Sequence, residues 1–253
     1  RSRLTNVLEN VDYVVHAAAT KIIPTAEYNP IECVKTNIEG ATNLIDSSIR
    51  HRVKKVVALS TDKASNPINL YGATKLVSDK LFVAGNASSG ARETIFSVVR
   101  YGNVMGSRGS VIPFFHSLKD QGYFPITDLK MTRFMITLED AVKLVWHAFN
   151  DMKGGEIYVK KIPSMSVVDI ATAINEKAEH RVIGIRPGEK VHEQMIGFED
   201  APHTYEYDDH FKILPAIYNW SSDPNRNSGG KKVDKNFVYS SLNNKHWMTV
   251  QQL

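Results

Sequence analysis

Apolar residues recur along this chain at two periods. Residues 11–15, 55–59 and 95–100 are short, nearly continuous runs rich in valine, isoleucine and other apolar side chains. That is how strands covered on both faces read. Between the first two, Asn29-Pro30 opens a stretch with Ile31, Val34, Ile38, Ala41, Leu44 and Ile45 at helical spacing, continuing to about Arg52. Residues 1–10 read as a short helix before the first strand, and residues 70–84 as a helix between the second and third. Strand, helix, strand at this size is a βαβ crossover and predicts parallel strands. Each run then ends in small or polar residues: His16-Ala17-Ala18-Ala19, Ser60-Thr61-Asp62-Lys63, and Tyr101-Gly102-Asn103-Val104-Met105-Gly106. The carboxyl edge of an open α/β sheet is where ligands bind, and the repetition weighs more than any single loop.

After Gly109 the pieces shorten: 111–119, 124–127, 133–137, a helix over 138–152, 156–159, a helix over 167–178, and 181–185. This reads as a smaller α/β lobe. From about Asp200 the chain is polar and aromatic without a period (Tyr205-Glu206-Tyr207, Trp220-Ser221-Ser222), with an exposed loop at Ser228-Gly229-Gly230. The expected class is therefore α/β: a doubly wound parallel sheet in residues 1–110, and a smaller lobe with a C-terminal extension in 111–253. Elements are free to cross between the two.

Composition narrows the function. At 253 residues the chain is one large domain or two moderate ones, and 42% hydrophobic with 23% charged residues is ordinary for a soluble globular protein. The net charge of +4 is not gathered into a run; Lys160-Lys161 and Lys231-Lys232 are isolated pairs. That pattern argues against a nucleic-acid or lipid-binding segment. It suits an anionic small molecule such as a nucleotide, or a solvated surface. The single cysteine, Cys33, excludes an internal disulfide and fits a reducing, cytoplasmic compartment. Its helical neighbours make it a buried, inert thiol. No apolar run approaches the roughly 18–20 residues that span a bilayer. The first residue is Arg1, not Met, so the chain is expected to begin partway through a longer gene product.

Five residues able to handle protons or hydroxyls crowd one strand end: Thr61, Asp62, Lys63, Tyr71 and Lys75. Tyr71 and Lys75 stand at i and i+4, on one face of a helix. An ammonium close to a tyrosine favours the phenolate and makes it a better base; the plainer alternative is a tyrosine packed on an aliphatic lysine stem. Asp62-Lys63 is an adjacent acid and base. In extended chain such neighbours point apart, so a turn must aim both at one substrate, and Asn66-Pro67 supplies a candidate. The alternative is a surface ion pair contributing little. Arg133 and Arg186 offer guanidinium forks suited to phosphate, or are simply surface residues. The histidines lack metal-ligand spacing, and no Gly-x-Ser-x-Gly elbow occurs.

Taken together, the motifs resemble the extended short-chain dehydrogenase/reductase superfamily. They are His-Ala-Ala-Ala (16–19), Glu-Tyr-Asn-Pro (27–30), Lys-Thr-Asn (35–37), Leu-Ser-Thr-Asp-Lys-Ala (59–64), Asn-Pro-Ile-Asn-Leu-Tyr-Gly-Ala-Thr-Lys (66–75), Val-Arg-Tyr-Gly-Asn-Val (99–104), Gly-Ser-Arg-Gly-Ser-Val (106–111), Pro-Ile-Thr-Asp (125–128), Met-Thr-Arg-Phe (131–134) and Ile-Arg-Pro-Gly-Glu-Lys (185–190). More narrowly, the chain is similar over essentially its whole length to the inverting UDP-N-acetylglucosamine 4,6-dehydratases that open pseudaminic acid biosynthesis. Tyr71 carries the subtype, since the membrane-anchored retaining relatives have methionine there. The resemblance implies a Rossmann-like NADP-binding and catalytic portion in 1–110 and a mainly substrate-binding lobe in 111–253. It departs in a small respect, Thr20 before Lys21 where relatives usually carry leucine, and in a large one: the family begins with a glycine-rich strand-to-helix turn that holds the cofactor pyrophosphate. This chain is expected to start about 70 residues into that pattern, two βα units along.

The resemblance further implies a lyase acting on UDP-GlcNAc through an internal redox cycle. NADP would take a hydride from C4 while Tyr71, assisted by Lys75, accepts the hydroxyl proton. Lys63 would remove the C5 proton, Asp62 would protonate the departing 6-hydroxyl, and Thr61 would hydrogen-bond near C4. Reprotonation of C5 from the opposite face would invert it. Ala17, Ala18, Lys75 and Tyr101 are implied for the cofactor, and Lys21, Asn103, Arg108, Thr127, Met131, Arg133, Arg186 and Glu189 for the UDP-sugar. The implied assembly is a homo-oligomer such as a hexamer, with no nucleic-acid or membrane partner. The competing readings are a retaining dehydratase, a UDP-sugar epimerase, and a non-catalytic UDP-sugar-binding remnant.

Overall fold

Burial on both faces explains the continuous apolar strands. In the computed structural model, which describes residues 2–90, 93–217, 223 and 225–253, helix α1 (Ser2–Val7) leads into strand β1 (Tyr13–His16). Helices α2 (Ile23–Tyr28) and α3 (Pro30–Val34), a π-helical turn (Lys35–Glu39) and α4 (Gly40–Arg50) follow, then β2 (Lys55–Thr61). A 3-10 turn (Asp62–Ala64) comes next, then α5 (Leu70–Ser89), β3 (Ile95–Tyr101) and β4 (Asn103–Val104). Downstream lie α6 (Val111–Leu118), β5 (Tyr123–Ile126), β6 (Thr132–Ile136), α7 (Leu138–Asp151), β7 (Ile157–Lys160), β8 (Ser164–Ser166), α8 (Val167–Ile174) and β9 (Glu179–Val182). Strands β10 (Gln194–Ile196), β11 (Thr204–Glu206), β12 (His210–Ile213), β13 (Lys231–Lys232) and β14 (Tyr239–Ser240) follow, with short 3-10 turns at Lys119–Gln121, Ala201–His203 and Val250–Gln252.

The main sheet runs β1-β2-β3-β7-β12-β11-β13. Its first four strands are parallel, as the crossover lengths predict. On one face Val56 and Ala58 pack with Phe82, Phe96, Leu44 and Ile45, the side of α4 and α5. On the other, Val57 and Val99 pack with Leu144, Ala148 and Phe149 of α7. Each fully buried side chain of this size contributes roughly 1.5–3 kcal/mol. A second core joins α6, β5, β6, β8 and α8 through Phe115, Phe124, Ile126, Met135, Met165 and Ile170.

The structure differs from the periodicity in three places. The stretch beyond residue 200, which shows no period, supplies β12, β11 and β13, and these extend the main sheet in antiparallel fashion. Strands of two to four residues are too short to display an alternation. The Trp220-Ser221-Ser222 segment lies outside the described residues. The helix expected from residue 29 to about 52 contains the π-turn, which is invisible to a 3.6-residue period, and α2 precedes it where no helix is expected. Finally, β2 runs two residues further than its apolar run, carrying Ser60 and Thr61 to the sheet's edge. Among the described residues no helix is long and apolar enough to cross a membrane.

One buried cation ties these parts together. Arg100, on β3 and 2% exposed, donates from Nη1 to the Met195 carbonyl at 2.7 Å and to Asp200 at 3.3 Å. Its Nη2 donates to Asp79 of α5 at 3.3 Å, and the Ser60 hydroxyl donates to the same Asp79 oxygen at 2.7 Å. Removing one member of a buried pair strands its partner's charge. Arg100→Met is expected to destabilise the protein by about 3–5 kcal/mol, read as a shift in urea midpoint at unchanged slope. Loss of less than about 1 kcal/mol would show that Asp79 is satisfied without it.

Candidate active site

The site grows from the end of β2. Thr61 is the last strand residue, paired across from Tyr101 of β3, and its Oγ1 accepts from the Lys63 backbone N–H at 3.3 Å. That cap turns the chain into the 3-10 turn at Asp62–Ala64. The turn that aims the acid–base pair is therefore at Asp62–Ala64 itself rather than at Asn66-Pro67. With three residues per turn, neighbours stand about 120° apart instead of on opposite sides as in extended chain, and Lys63 Nζ reaches Asp62 Oδ1 at 3.0 Å. The Thr61 hydroxyl donates to the same oxygen at 3.0 Å. Helix α5 is capped by Asn69, whose Oδ1 accepts from Gly72 N at 2.7 Å. It packs so close to the turn that a Cβ on Gly72 would lie 2.3 Å from the Lys63 carbonyl oxygen. Tyr71 and Lys75, both buried, follow on this helix.

Burial sets the electrostatics. Asp62 is fully buried, and desolvation pushes its carboxyl up against the pull of Lys63. Its Oδ2 meets no hydrogen-bond partner among the described residues. For Lys63, burial alone would lower the ammonium, but the Asp62 and Glu193 carboxylates more than offset it and hold the group charged. Tyr71 is pushed up to about 12 by burial. The main cation pulling the other way is Lys63, not Lys75 as the i, i+4 spacing suggests. Lys75 instead donates to the Leu59 carbonyl at 2.8 Å, and burial draws it below the usual lysine range against the opposing pull of Asp79.

A loop from the second half of the chain closes over this turn. Asn69 Nδ2 donates to Gly188 O at 2.7 Å, and Lys190 Nζ donates to Ser65 O at 2.7 Å. Between loop and turn lies a cleft of about 330 Å³. Lys63, Asn103, Thr127, Met131, Arg133, Arg186 and Glu189 line it, which gathers most of the expected substrate set. Lys21 and Arg108 are exposed and do not line it. Arg133 is not a free fork: Nη1 donates to the Thr132 and Val191 carbonyls at 2.7 and 3.1 Å, and Nη2 to Met131 Sδ at 2.8 Å. Arg186 is ion-paired with Glu189. Lys190 and Glu193 also line the cleft. Lys190 belongs to a motif legible in the sequence, whereas Glu193 carries no signal beyond its position three residues further on.

At the other end, β1 finishes beside β2 with Ala17 and Ala18 exposed, so only methyl groups rise from that strand end. His16 is buried and held down to about 4 by desolvation and by Lys75, which keeps it neutral. Burial also pushes Tyr101 up. The loop after β1 is fixed by Asn37 of the π-turn, 1% exposed. Its amide donates to Thr20 O and Thr74 Oγ1, both at 3.0 Å, and accepts from Thr20 N at 2.8 Å. Among the described residues no group of side chains could hold a metal ion.

Comparison with known proteins gives the family. The family described as "Polysaccharide biosynthesis protein" matches residues 1–215. A Campylobacter jejuni protein named UDP-N-acetylglucosamine 4,6-dehydratase (inverting) is 53% identical across 100% of this chain and 78% of its own length. A Rickettsia canadensis UDP-glucose 4-epimerase is 42% identical over 81% of this chain and 62% of its own. The crystal structure of Pen from Bacillus thuringiensis superposes with a TM-score of 0.88 at 38% identity, covering 99% of this chain and 75% of that one. The chain belongs to the polysaccharide biosynthesis protein family, within the extended short-chain dehydrogenase/reductases.

Proposed function

We propose that the protein dehydrates UDP-N-acetylglucosamine across C5 and C6 after oxidation at C4, inverting C5. The product is UDP-2-acetamido-2,6-dideoxy-β-L-arabino-hex-4-ulose, and the reaction is the first step towards pseudaminic acid. The observation that carries this reading is the Asp62–Lys63 pair, 3.0 Å apart, with Lys63 on the cleft wall and Asp62 fully buried at its side. An epimerase has no hydroxyl to expel and no use for such an acid. The name of the Campylobacter relative supports the same reading.

The methyl-only end of β1, the buried Lys75 amine and the Tyr101 hydroxyl fit a flat dinucleotide, with Ala17 and Ala18 against its face. When bound, NADP supplies a hydride acceptor for C4 and returns the hydride to C6. The protein's own residues manage protons. Tyr71, in the phenolate form that Lys63 favours against the upward push of burial, accepts the 4-hydroxyl proton, and Thr61 orients that oxygen. Ketone formation at C4 acidifies the C5 proton, which Lys63 takes while Asp62 protonates the 6-hydroxyl so that it departs as water. A proton then reaches C5 from the opposite face. Asn103, Thr127, Met131, Arg186 and Glu189 hold the UDP-sugar, and Arg133 shapes the wall between them. In this reading residues 1–110 serve the cofactor and chemistry and 111–253 mainly the substrate, in a cytoplasmic homo-oligomer.

Sugar-nucleotide NMR tests the reaction. The full-length enzyme, with UDP-GlcNAc in deuterated water, should yield a 6-deoxy-4-ketose inverted at C5, deuterated there, and no net reduced cofactor. Recovery of a C4 epimer that keeps its 6-hydroxyl would make the protein an epimerase, as in the Rickettsia relative; retained C5 configuration would make it a retaining dehydratase.

Two substitutions separate the half-reactions. Tyr71→Phe should lower kcat by about 100-fold or more, the scale of a lost general base, with UDP binding by calorimetry unchanged. Asp62→Asn should still oxidise C4, seen as bound reduced nicotinamide, yet release no water. Normal dehydration by Asp62→Asn would remove Asp62 from the acid's role.

A further inference from the structure

Lys63 is held from two separate elements. Its Nζ lies 3.0 Å from Asp62 Oδ1 and 3.2 Å from Glu193 Oε1. Glu193 stands just before β10, with its side chain 3% exposed. Its backbone is clamped: the N–H donates to Ser241 Oγ at 2.9 Å, and the carbonyl accepts from Ser241 N at 2.8 Å. Ser241 Oγ in turn lies 2.7 Å from Thr132 Oγ1. Arg133 Nε approaches Glu193 Oε1 at 3.8 Å. Glu193 Oε2 is buried without a hydrogen-bond partner among the described residues, and the residue lines the cleft. Stability accounts for a counter-charge to Lys63 and Arg133, since removing it alone would strand them, but not for the clamping of Glu193 by Ser241 or its place on the cleft wall. A rigidly mounted carboxylate aimed at a reacting lysine calls for another account.

The geometry points to Glu193 as the positioning residue for Lys63. With Asp62 it holds the lysine nitrogen at one point of the cleft wall, and its fixed charge keeps one shared proton on the Asp62–Lys63 pair between turnovers. This rests on the dehydratase reading above.

The proton count closes. At rest Lys63 is an ammonium and Asp62 a carboxylate. Moving one proton across their 3.0 Å hydrogen bond leaves a neutral amine and a carboxylic acid, the two forms the elimination needs. The C5 proton then passes to Nζ, and the C5–H electron pair becomes the C5=C6 bond. The C6–O bond breaks, and its oxygen leaves as water with the Asp62 proton. The pair ends as ammonium and carboxylate, as it began. At rest Glu193 is the anion: burial alone would raise it, but Lys63, Arg133 and Lys190 hold it below the usual range. Asp62, raised by burial, is the carboxylate that accepts the proton. The charged and titratable groups facing Lys63 Nζ are Asp62 on its own turn, Tyr71 from α5, Arg133 from β6, and Lys190 and Glu193 from the loop before β10.

The sign of the pH effect follows. At high pH the rate falls when the pair loses its one proton, and a nearby anion makes that loss harder. Neutralising Glu193 therefore moves the falling alkaline limb to lower pH. In the full-length enzyme with UDP-GlcNAc, Glu193→Gln is expected to lower kcat about 10- to 100-fold, the scale of a misplaced reacting group. KM should stay within about threefold, because ground-state binding is untouched. Bound-cofactor reduction by C4 should persist, and deuterium entry at C5 should fall in step with kcat. Glu193→Asp keeps the charge, so its limb should remain at the wild-type pH while part of kcat returns. An unmoved limb in Glu193→Gln, or equal losses in C4 oxidation and C5 exchange, would overturn the assignment and leave Glu193 a structural residue. A wild-type enzyme that releases no water from UDP-GlcNAc would instead overturn the dehydratase reading itself.

Discussion

A buried guanidinium joins the parts of this molecule that must keep register with one another. Arg100 rises from β3 in the middle of the sheet and reaches Asp79 on α5, Met195 in β10 and Asp200 beyond it. Asp79 lies one turn beyond Lys75 on the helix that also carries Tyr71, and it accepts from Ser60, next to the reacting turn. Sheet, helix and second-half loop are thus fastened through a single charge network. Such a network is expensive to bury and does little for net stability that apolar packing could not do. What it offers is direction: hydrogen bonds at defined angles, where apolar contacts would tolerate sliding.

The two lysines of the site show how environment separates identical side chains. Lys75 is surrounded by protein with only Asp79 opposing its desolvation, so its ammonium is weakened. Lys63 is similarly enclosed but faces Asp62 and Glu193, and there the carboxylates prevail. Pairs of titratable groups pushed in opposite directions are the mark of divided acid and base duties. Asp62 and Glu193 repeat the pattern, one raised by burial and the other held down by three cations.

Most of the fold near the site is legible in the chain. Continuous apolar runs, helices of the right length between them, and small polar residues after each run imply a parallel sheet with one reactive edge, and β1, β2, β3 and β7 are parallel. What periodicity misses is short or irregular. The π-turn that buries Asn37 shares a helix's composition. The antiparallel strands after residue 200 are held by pairing with β7 rather than by any pattern of their own.

The candidate site divides along the same line. Local sequence is enough to bring Thr61, Asp62, Lys63, Tyr71 and Lys75 to one strand end, because a capped turn and a capped helix follow directly and short-range geometry carries the argument. Read from its residues, the loop of Arg186 to Lys190 is a turn whose guanidinium suits either phosphate or solvent, and the fold puts Arg186, Glu189 and Lys190 on the cleft wall. Sequence alone does not reveal that Glu193 meets Lys63, that Arg133 is occupied by backbone carbonyls, or that Lys75 turns to the Leu59 carbonyl. Those are contacts between distant segments or choices among competing acceptors. Only the packed chain decides them, because desolvation and charge act through space and have no period along a sequence.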